Sequence, residues 1–187
     1  MKKQYDNLTE VIKNNLFHKE PSGWQSLFDK ISEVKKRGYM TKDEFFEVCM
    51  WKSPRPKKKY LSNSEEKIKE ISKLVLSTDS EEIKIGLLDT LNGISIPVAS
   101  AILTLMDPQN YGVIDIRVWQ ILYLYGEVKT NPSGQGFRIE DWIEYLSILR
   151  KYSFQLNLKV RDVEIILFFY HKKIQEGLLY KKKEISV

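Results

Sequence analysis

The chain has 187 residues, enough for one domain or for two small helical lobes, and 42% of them are hydrophobic, which provides for a sizeable core. Its single cysteine, Cys49, excludes an intramolecular disulfide, a cysteine-held iron–sulfur cluster and any zinc site that needs two thiolates. The net charge is +5, no apolar run approaches the roughly 20 residues of a membrane span, and the N-terminal residues lead into no secretory segment, so we expect a cytoplasmic protein without a membrane partner.

Apolar residues recur at intervals of three and four along nearly the whole chain, which predicts an all-α protein without a sheet. Local start signals support this prediction. Thr41 and Glu44 have the spacing of a capping box, and Asn63 and Ser64 place oxygen acceptors at another helix start. The predicted helices cover residues 6–16, 24–37, 42–51, 63–77, 80–91, 96–106, 115–126, 138–153 and 159–175.

The stretch 52–62 combines two prolines with positive charge that no acid compensates. Such a loop can bind phosphates, and a solvated linker is the alternative. The prolines also make it the best candidate for a boundary between two lobes, although a long interhelical loop fits equally well. Trp51 directly precedes it and is a candidate for stacking on a nucleobase. Its cations are Lys52, Arg55, Lys57, Lys58 and Lys59.

Residues 85–106 predict a tight pair of helices joined by a turn over 92–95. Gly93 supplies the permissive backbone that such a turn needs. Pro97 lies near the first position of the second helix, where a missing N–H costs nothing. The free amides at that helix start form an anion site, and the helix itself is apolar almost all round, so we expect it to be central and buried.

A short loop then leads to Asp115, which follows the apolar pair Val113 and Ile114 and begins the next helix. A helix start keeps a carboxylate ionised near neutral pH, so Asp115 can oppose positive charge that develops in a transition state. The structural alternative is an N-cap, which explains an aspartate at this place without any chemistry.

The segment 85–125 resembles the helix-hairpin-helix superfamily of DNA glycosylases, and the rest of the chain agrees with that superfamily only in being helical. The shared pattern is a leucine, a glycine-containing hairpin, an apolar helix with small residues, an apolar pair and an aspartate. The matching residues are Leu91, Gly93, Ile94, Val98, Ala99, Ile102, Leu103, Val113, Ile114, Asp115 and Trp119.

The resemblance implies a two-lobed helical fold that binds double-stranded DNA and accepts a flipped base in a pocket between the lobes. Asp115 is then the catalytic carboxylate, which stabilises the cationic sugar or assists the nucleophile. The turn residues Gly93, Ile94, Ser95 and Pro97 are expected to grip the DNA backbone. The basic residues Lys52, Arg55, Lys57 and Lys58 are expected near phosphates, and Trp51 near the base.

Two departures from the superfamily pattern change what the resemblance implies. Pro97 stands where members that also cut the strand have a nucleophilic lysine, so we expect a monofunctional glycosylase unless another lysine substitutes. Ser95 replaces the second glycine of the turn, so either the turn is reshaped or Ser95 adopts a positive φ at a cost of roughly 1 kcal/mol.

Several other residues are expected to have structural roles. Neither His18 nor His171 has another ligand at metal spacing, so we expect no metal and no cofactor. Trp24 and Trp142 are expected to be core anchors, and core anchoring is also the alternative for Trp51. The basic segment 181–184 is expected to be frayed.

Three functions remain open at this point. The first is an enzyme that removes a damaged or modified base and is associated with the nucleoid through DNA, with a role either in repair or in defence against modified foreign DNA. The second is a DNA-binding module that has lost catalysis, and the third is a helical interaction protein in which Asp115 is only a cap. An open cleft with Asp115 exposed at its floor favours the first, whereas a filled cleft or a salt-bridged Asp115 favours the second or the third. The oligomeric state and the identity of the base do not follow from the sequence.

Overall fold

The structure is a computed structural model that describes residues 1–16, 20–177 and 179, which leaves His18 and the segment 181–184 outside the described residues. Within these ranges the chain forms helices and no strand, so the prediction of an all-α protein is confirmed. The helices are α1 (Leu8–Lys13), α2 (Trp24–Ile31), α3 (Glu33–Arg37), α4 (Lys42–Lys52), α5 (Lys57–Leu61), α6 (Glu65–Ser77), α7 (Glu81–Asp89), α8 (Ile96–Met106), α9 (Ile116–Tyr125), α10 (Ile139–Leu156) and α11 (Val160–Ile174).

The helix prediction is wrong in two places, one helix that is divided and one that was not predicted. The segment 24–37 is divided into α2 and α3 at Ser32, whose hydroxyl donates to the carbonyl of Asp29 and so competes with the backbone ladder. The stretch 52–62 contains the short helix α5, which sequence periodicity did not indicate. Pro56 precedes α5, where proline is tolerated, and the buried ring of Tyr60 holds the helix to the core.

The predicted start signals of α4 and α6 are confirmed. Thr41 accepts a hydrogen bond from the amide of Glu44, and the Glu44 carboxylate accepts one from the amide of Thr41, which completes a capping box. Ser64 accepts from the amide of Lys67 at the start of α6. These bonds satisfy amides that a helix leaves free at its first turn, so the sequence sets both starts locally.

Helix α8 is the central element, as its apolar sequence predicts. Ten of its eleven residues are buried, and it packs against α2, α4 and α7. Helix α11 packs against α1, α9 and α10, and the buried side chains form one hydrophobic cluster that runs from Leu8 to Ile174. Of the helices that the structure describes, none is both long and apolar enough to cross a membrane.

Candidate functional site

Asp115 is the N-cap of α9, as its position in the sequence predicts. Its Oδ1 accepts a hydrogen bond from the amide of Arg117 at 3.0 Å. The segment before it is fixed by side chains from three other helices. Ser100 Oγ accepts from the amide of Ile114 at 3.1 Å. Side chains of α11 and α10 bind the amide and the carbonyl of Val113, so the position of Asp115 is set by the tertiary structure.

Both backbone groups of Val113 are hydrogen-bonded to side chains from other helices. Its amide donates to Glu164 Oε2 at 3.3 Å, and its carbonyl accepts from the Tyr145 hydroxyl at 2.8 Å. Both partners are buried. Because a buried backbone group without a partner is costly, these two bonds compensate for the extended conformation of the loop before α9.

Lys52 contacts Asp115 although 63 positions separate them in the chain. Its Nζ donates to Asp115 Oδ2 at 3.1 Å, and the two side chains are 17% and 21% exposed. Burial raises the pKa of Asp115, but the charge of Lys52 and the amide of Arg117 lower it more, so the pKa of Asp115 lies below its ordinary value. Asp115 is therefore an ionised carboxylate with one oxygen on a helix amide and the other on an ammonium group.

An open cleft of about 360 Å³ lies on one side of Asp115, and we name it the outer cleft. It brings together four of the residues that the sequence pointed to around Asp115, namely Lys52, Arg55, Ser95 and Pro97. The loop before α10 closes the cleft opposite to them. The lining residues are Lys52, Ser53, Arg55, Ser95, Pro97, Val98, Ile114, Asp115, Ile116, Gly134, Gln135, Gly136 and Phe137.

A second cavity of about 250 Å³ lies on the α11 side of Asp115, and we name it the inner cavity. Asp115 and Lys52 border both spaces, so their ion pair separates the outer cleft from the inner cavity. Its lining mixes aromatic rings with charged groups. The lining residues are Pro21, Trp51, Lys52, Val113, Asp115, Arg117, Arg161, Glu164, Ile165 and Phe168.

The turn between α7 and α8 is packed against the basic stretch. Gly93 has a φ of +87°, and a Cβ there would lie 2.8 Å from the Cβ of Lys59, so glycine is required both by conformation and by space. Asn63 holds the same junction, because its side chain donates to the carbonyl of Asn92 at 3.1 Å and accepts from the amide of Asn92 at 2.8 Å. The basic stretch and the α7–α8 turn, which are both predicted to contact DNA, therefore adjoin and form one surface.

The conformation of Ser95 decides between the two possibilities that the sequence left open, a reshaped turn or a positive φ at this residue. Its φ is −128°, in the extended region, so the turn is reshaped and Ser95 carries no positive-φ strain. Pro97 is the second residue of α8, and the Ser95 side chain makes no capping hydrogen bond. Pro97 has no N–H and the amide of Val98 donates to the carbonyl of Ser95 at 2.8 Å, so the row of free amides that was predicted as an anion site is not formed. Ile94 lies in the turn and packs partly against the core.

The positive charges of the basic stretch have two different environments. Arg55, Lys57 and Lys58 are exposed, and none of the three forms an ion pair within the part of the chain that the structure describes. Lys52 instead points inward to Asp115. Sequence reasoning placed all four cations in one group, because spacing in a loop does not show which way a side chain turns.

Trp51 is half-buried and borders the inner cavity. Its Nε1 donates to the carbonyl of Ser22 at 3.1 Å, and its ring lies 5.8 Å from the ring of Trp24. Trp24 and Trp142 are buried, so their prediction as core anchors is confirmed. Trp51 therefore packs against the buried ring of Trp24 and also borders the inner cavity.

The sequence marks Arg161, at the start of a helix, as a residue that could face the cleft, but sequence reasoning missed its carboxylate partners behind Asp115. Arg161 donates to both carboxylate oxygens of Glu20, contacts Glu164 and lies 4.0 Å from the ring of Trp24. Burial raises the pKa of Glu164, and Arg161 and Lys52 oppose that effect. The local signal for Arg161 was weak, since a charged pair at the start of a helix also fits a solvated first turn.

His171 has a structural role, as expected. It is fully buried, and its Nε2 lies 2.8 Å from Gln120 Oε1. Burial lowers its pKa to about 4, with a further contribution from Arg117. No group of three or more side chains among the described residues has the arrangement of a metal site.

Comparison of the chain with protein-family models, with curated proteins and with solved structures found no match. The function is therefore argued from the site and from the resemblance of residues 85–125.

Proposed function

We propose that the protein is a monofunctional DNA glycosylase-like enzyme, which binds double-stranded DNA, flips a damaged or modified base and hydrolyses its glycosidic bond. The observation that carries the proposal is the position of Asp115. An ionised carboxylate borders an open cleft next to exposed cations and, on its other side, an aromatic-lined cavity. Neither a cap nor a core packing role requires cavities on both sides of the aspartate.

In this proposal the DNA backbone follows the surface formed by the basic stretch and the α7–α8 turn. The cations Arg55, Lys57 and Lys58 have no ion-pair partner in the part of the chain that the structure describes, so each phosphate that they neutralise adds a salt-sensitive increment to binding. The flipped nucleotide places its sugar at Asp115 and its base in the inner cavity, beside Trp51.

As the base leaves, positive charge develops on the sugar, and the carboxylate of Asp115 stabilises it. Its lowered pKa keeps it ionised at neutral pH. Lys52 holds this carboxylate in the free protein, and DNA phosphates compete for the same ammonium group when the complex forms.

The chemistry is expected to stop at the abasic site. Pro97 borders the outer cleft at the position where a lysine would be needed, and proline cannot form a Schiff base. Lys52 also reaches the cleft, but its nitrogen is bound to a carboxylate as an ammonium group, which has no free electron pair for attack.

A DNA-binding module without catalysis is the second candidate, and the ion pair of Lys52 with Asp115 favours it. A carboxylate neutralised in this way makes structural sense without any reaction. Its Oδ1 also serves as the N-cap of α9, which is a sufficient structural reason for an aspartate.

The test is incubation of the protein and its Asp115→Asn variant with duplexes that carry a panel of damaged bases, followed by hot alkali. Asparagine keeps the N-cap acceptor and removes the charge, so folding is preserved. We expect alkali-dependent cleavage by the wild type and a loss of roughly 1000-fold in the variant. Strand cleavage before alkali would contradict the monofunctional assignment.

Two other results separate the alternatives. If no base is released but salt-sensitive binding to duplex DNA persists, the protein is a binding module. If neither release nor binding is measured, the remaining candidate is the helical interaction protein.

A further inference from the structure

The guanidinium of Arg117 has N–H donors without hydrogen-bond acceptors near them among the described residues. The side chain is 24% exposed, and its Nε is buried without a hydrogen-bond partner. Within residues 1–16, 20–177 and 179, its guanidinium donates no hydrogen bond to any other group. Because a guanidinium has five N–H donors and a buried polar group without a partner is costly, the donors of Arg117 are available to an acceptor that enters the cavity.

The side chain is nevertheless held in place. Its guanidinium lies 5.3 Å from the centre of the Phe168 ring, and Nη1 is 4.0 Å from Asp115 Oδ1, too far for a hydrogen bond. It borders the inner cavity together with Trp51. The contact with the Phe168 ring leaves the N–H donors of the guanidinium unused.

Arg161 borders the same cavity and shows what a structural arginine looks like in this protein. It is 3% exposed, bonds to Glu20 through two nitrogens and contacts Glu164 through a third. Among the described residues, Arg161 therefore has carboxylates at hydrogen-bond distance, whereas Arg117 has only the 4.0 Å ion pair with Asp115. The difference points to an acceptor that arrives from outside the chain.

We propose that Arg117 binds an acceptor oxygen of the flipped nucleotide, either a carbonyl oxygen of the base or an oxygen of its flanking phosphate. The inference rests on the proposed function, because it needs an extruded nucleotide beside Asp115. Both sources offer an oxygen that a guanidinium recognises. The aromatic rings of Trp51 and Phe168 border the same cavity, so the nucleotide that Arg117 binds also meets surfaces on which a base can stack.

The experiment measures the binding of wild type, Arg117→Gln and Lys172→Gln to three duplexes. The first carries uncleavable 2′-fluoro nucleotides with uracil or hypoxanthine, the second a tetrahydrofuran abasic analogue, and the third is undamaged. Lys172 is the matched control, because its ammonium also lies over Phe168, at 5.3 Å, and it does not border the inner cavity.

We expect Arg117→Gln to weaken binding of the base-bearing or abasic duplex by about tenfold, with the undamaged duplex unchanged. A loss confined to the base-bearing duplex identifies a base oxygen, and a loss for the abasic analogue as well identifies the phosphate. Lys172→Gln should bind all three as the wild type does. The urea midpoint of each variant checks that folding is intact.

The inference is overturned if Arg117→Gln binds the base-bearing and abasic duplexes as tightly as the wild type. It is also overturned if the variant loses the same factor on undamaged DNA. In both cases a wild type that still prefers the modified duplexes leaves the proposed function standing. A wild type without any such preference also overturns the inference, and base release in the Asp115 test then shows whether the glycosylase proposal survives on its own.

Discussion

The basic surface on α5 and the charged residues behind Asp115 use positive charge in opposite ways. On α5, Lys57 and Lys58 are exposed and have no carboxylate partner among the described residues. Behind Asp115, Arg161 is 3% exposed and is paired with two carboxylates. Exposed charges act over a distance and are screened by salt, whereas buried pairs fix geometry and are screened much less.

This difference assigns different kinds of effect to the two regions. Changes on the exposed surface should alter affinity for a polyanion and its dependence on salt, with little effect on folding. Changes in the buried network should alter stability or the ionisation of Asp115. Lys52 belongs to the basic stretch by sequence and to the buried network by contact, so it tests the boundary between them.

The largest effect expected on DNA affinity comes from neutralising the exposed surface. The triple variant Arg55→Gln, Lys57→Gln, Lys58→Gln should lose roughly 100-fold in affinity for duplex DNA, and the slope of log K against log salt should fall by roughly 3. Fluorescence anisotropy over a salt series measures both. The control changes Lys13, Lys73 and Lys129 to Gln, which removes the same charge from exposed positions that do not border the cleft. Equal losses in the two triple variants would show that only net charge matters.

The next effect concerns the contact that joins the two predicted DNA-binding segments. Gly93→Ala should reduce the free energy of unfolding by about 2 kcal/mol, because it adds a positive-φ cost and a Cβ only 2.8 Å from Lys59. Gly126→Ala is the matched control, with a φ of +78° and nothing within 4 Å of the added Cβ. Urea unfolding should show a smaller loss for Gly126→Ala. Identical losses would mean that the packing of the turn on α5 contributes nothing.

Replacing Lys52 should change the pH dependence of base release. Lys52→Met removes the charge that lowers the pKa of Asp115, so the carboxylate protonates at a higher pH and the acid limb of the rate profile moves upward in pH. Activity at acidic pH should fall several-fold relative to alkaline pH. Lys57→Met is the control, since it removes an exposed charge from the same stretch. An acid limb that does not move in Lys52→Met contradicts the role given to the ion pair.

The smallest effect belongs to His171, which lies away from the basic surface. Its pKa is about 4 in the folded protein, against an ordinary value of 6.5, so below the ordinary value the unfolded chain binds a proton that the folded chain does not. The free energy of unfolding should therefore decrease by about 1 kcal/mol from about pH 7 to about pH 5.5, and this part of the decrease should be absent in His171→Gln. Parallel curves for the two proteins would show that His171 does not contribute.

The helical class and several helix starts could be predicted from the sequence because their causes are local. The capping box of Thr41 and Glu44 and the N-cap position of Asp115 need only neighbouring residues. The burial of α8 follows from an apolar surface on all sides. The same kind of information did not reveal α5, because the anchor that stabilises so short a helix is the contact of Tyr60 with the core.

The sequence by itself determined which residue carries the candidate chemistry, since an aspartate after an apolar pair at a helix start is a local pattern. Only the tertiary structure decided what surrounds it. Lys52 reaches Asp115 from 63 positions away, Glu164 fixes the loop before it, and the guanidinium of Arg117 donates no hydrogen bond within the described residues. These relations depend on how separate helices pack against α8 and α9, and no spacing along one chain contains the distance between two side chains on different helices.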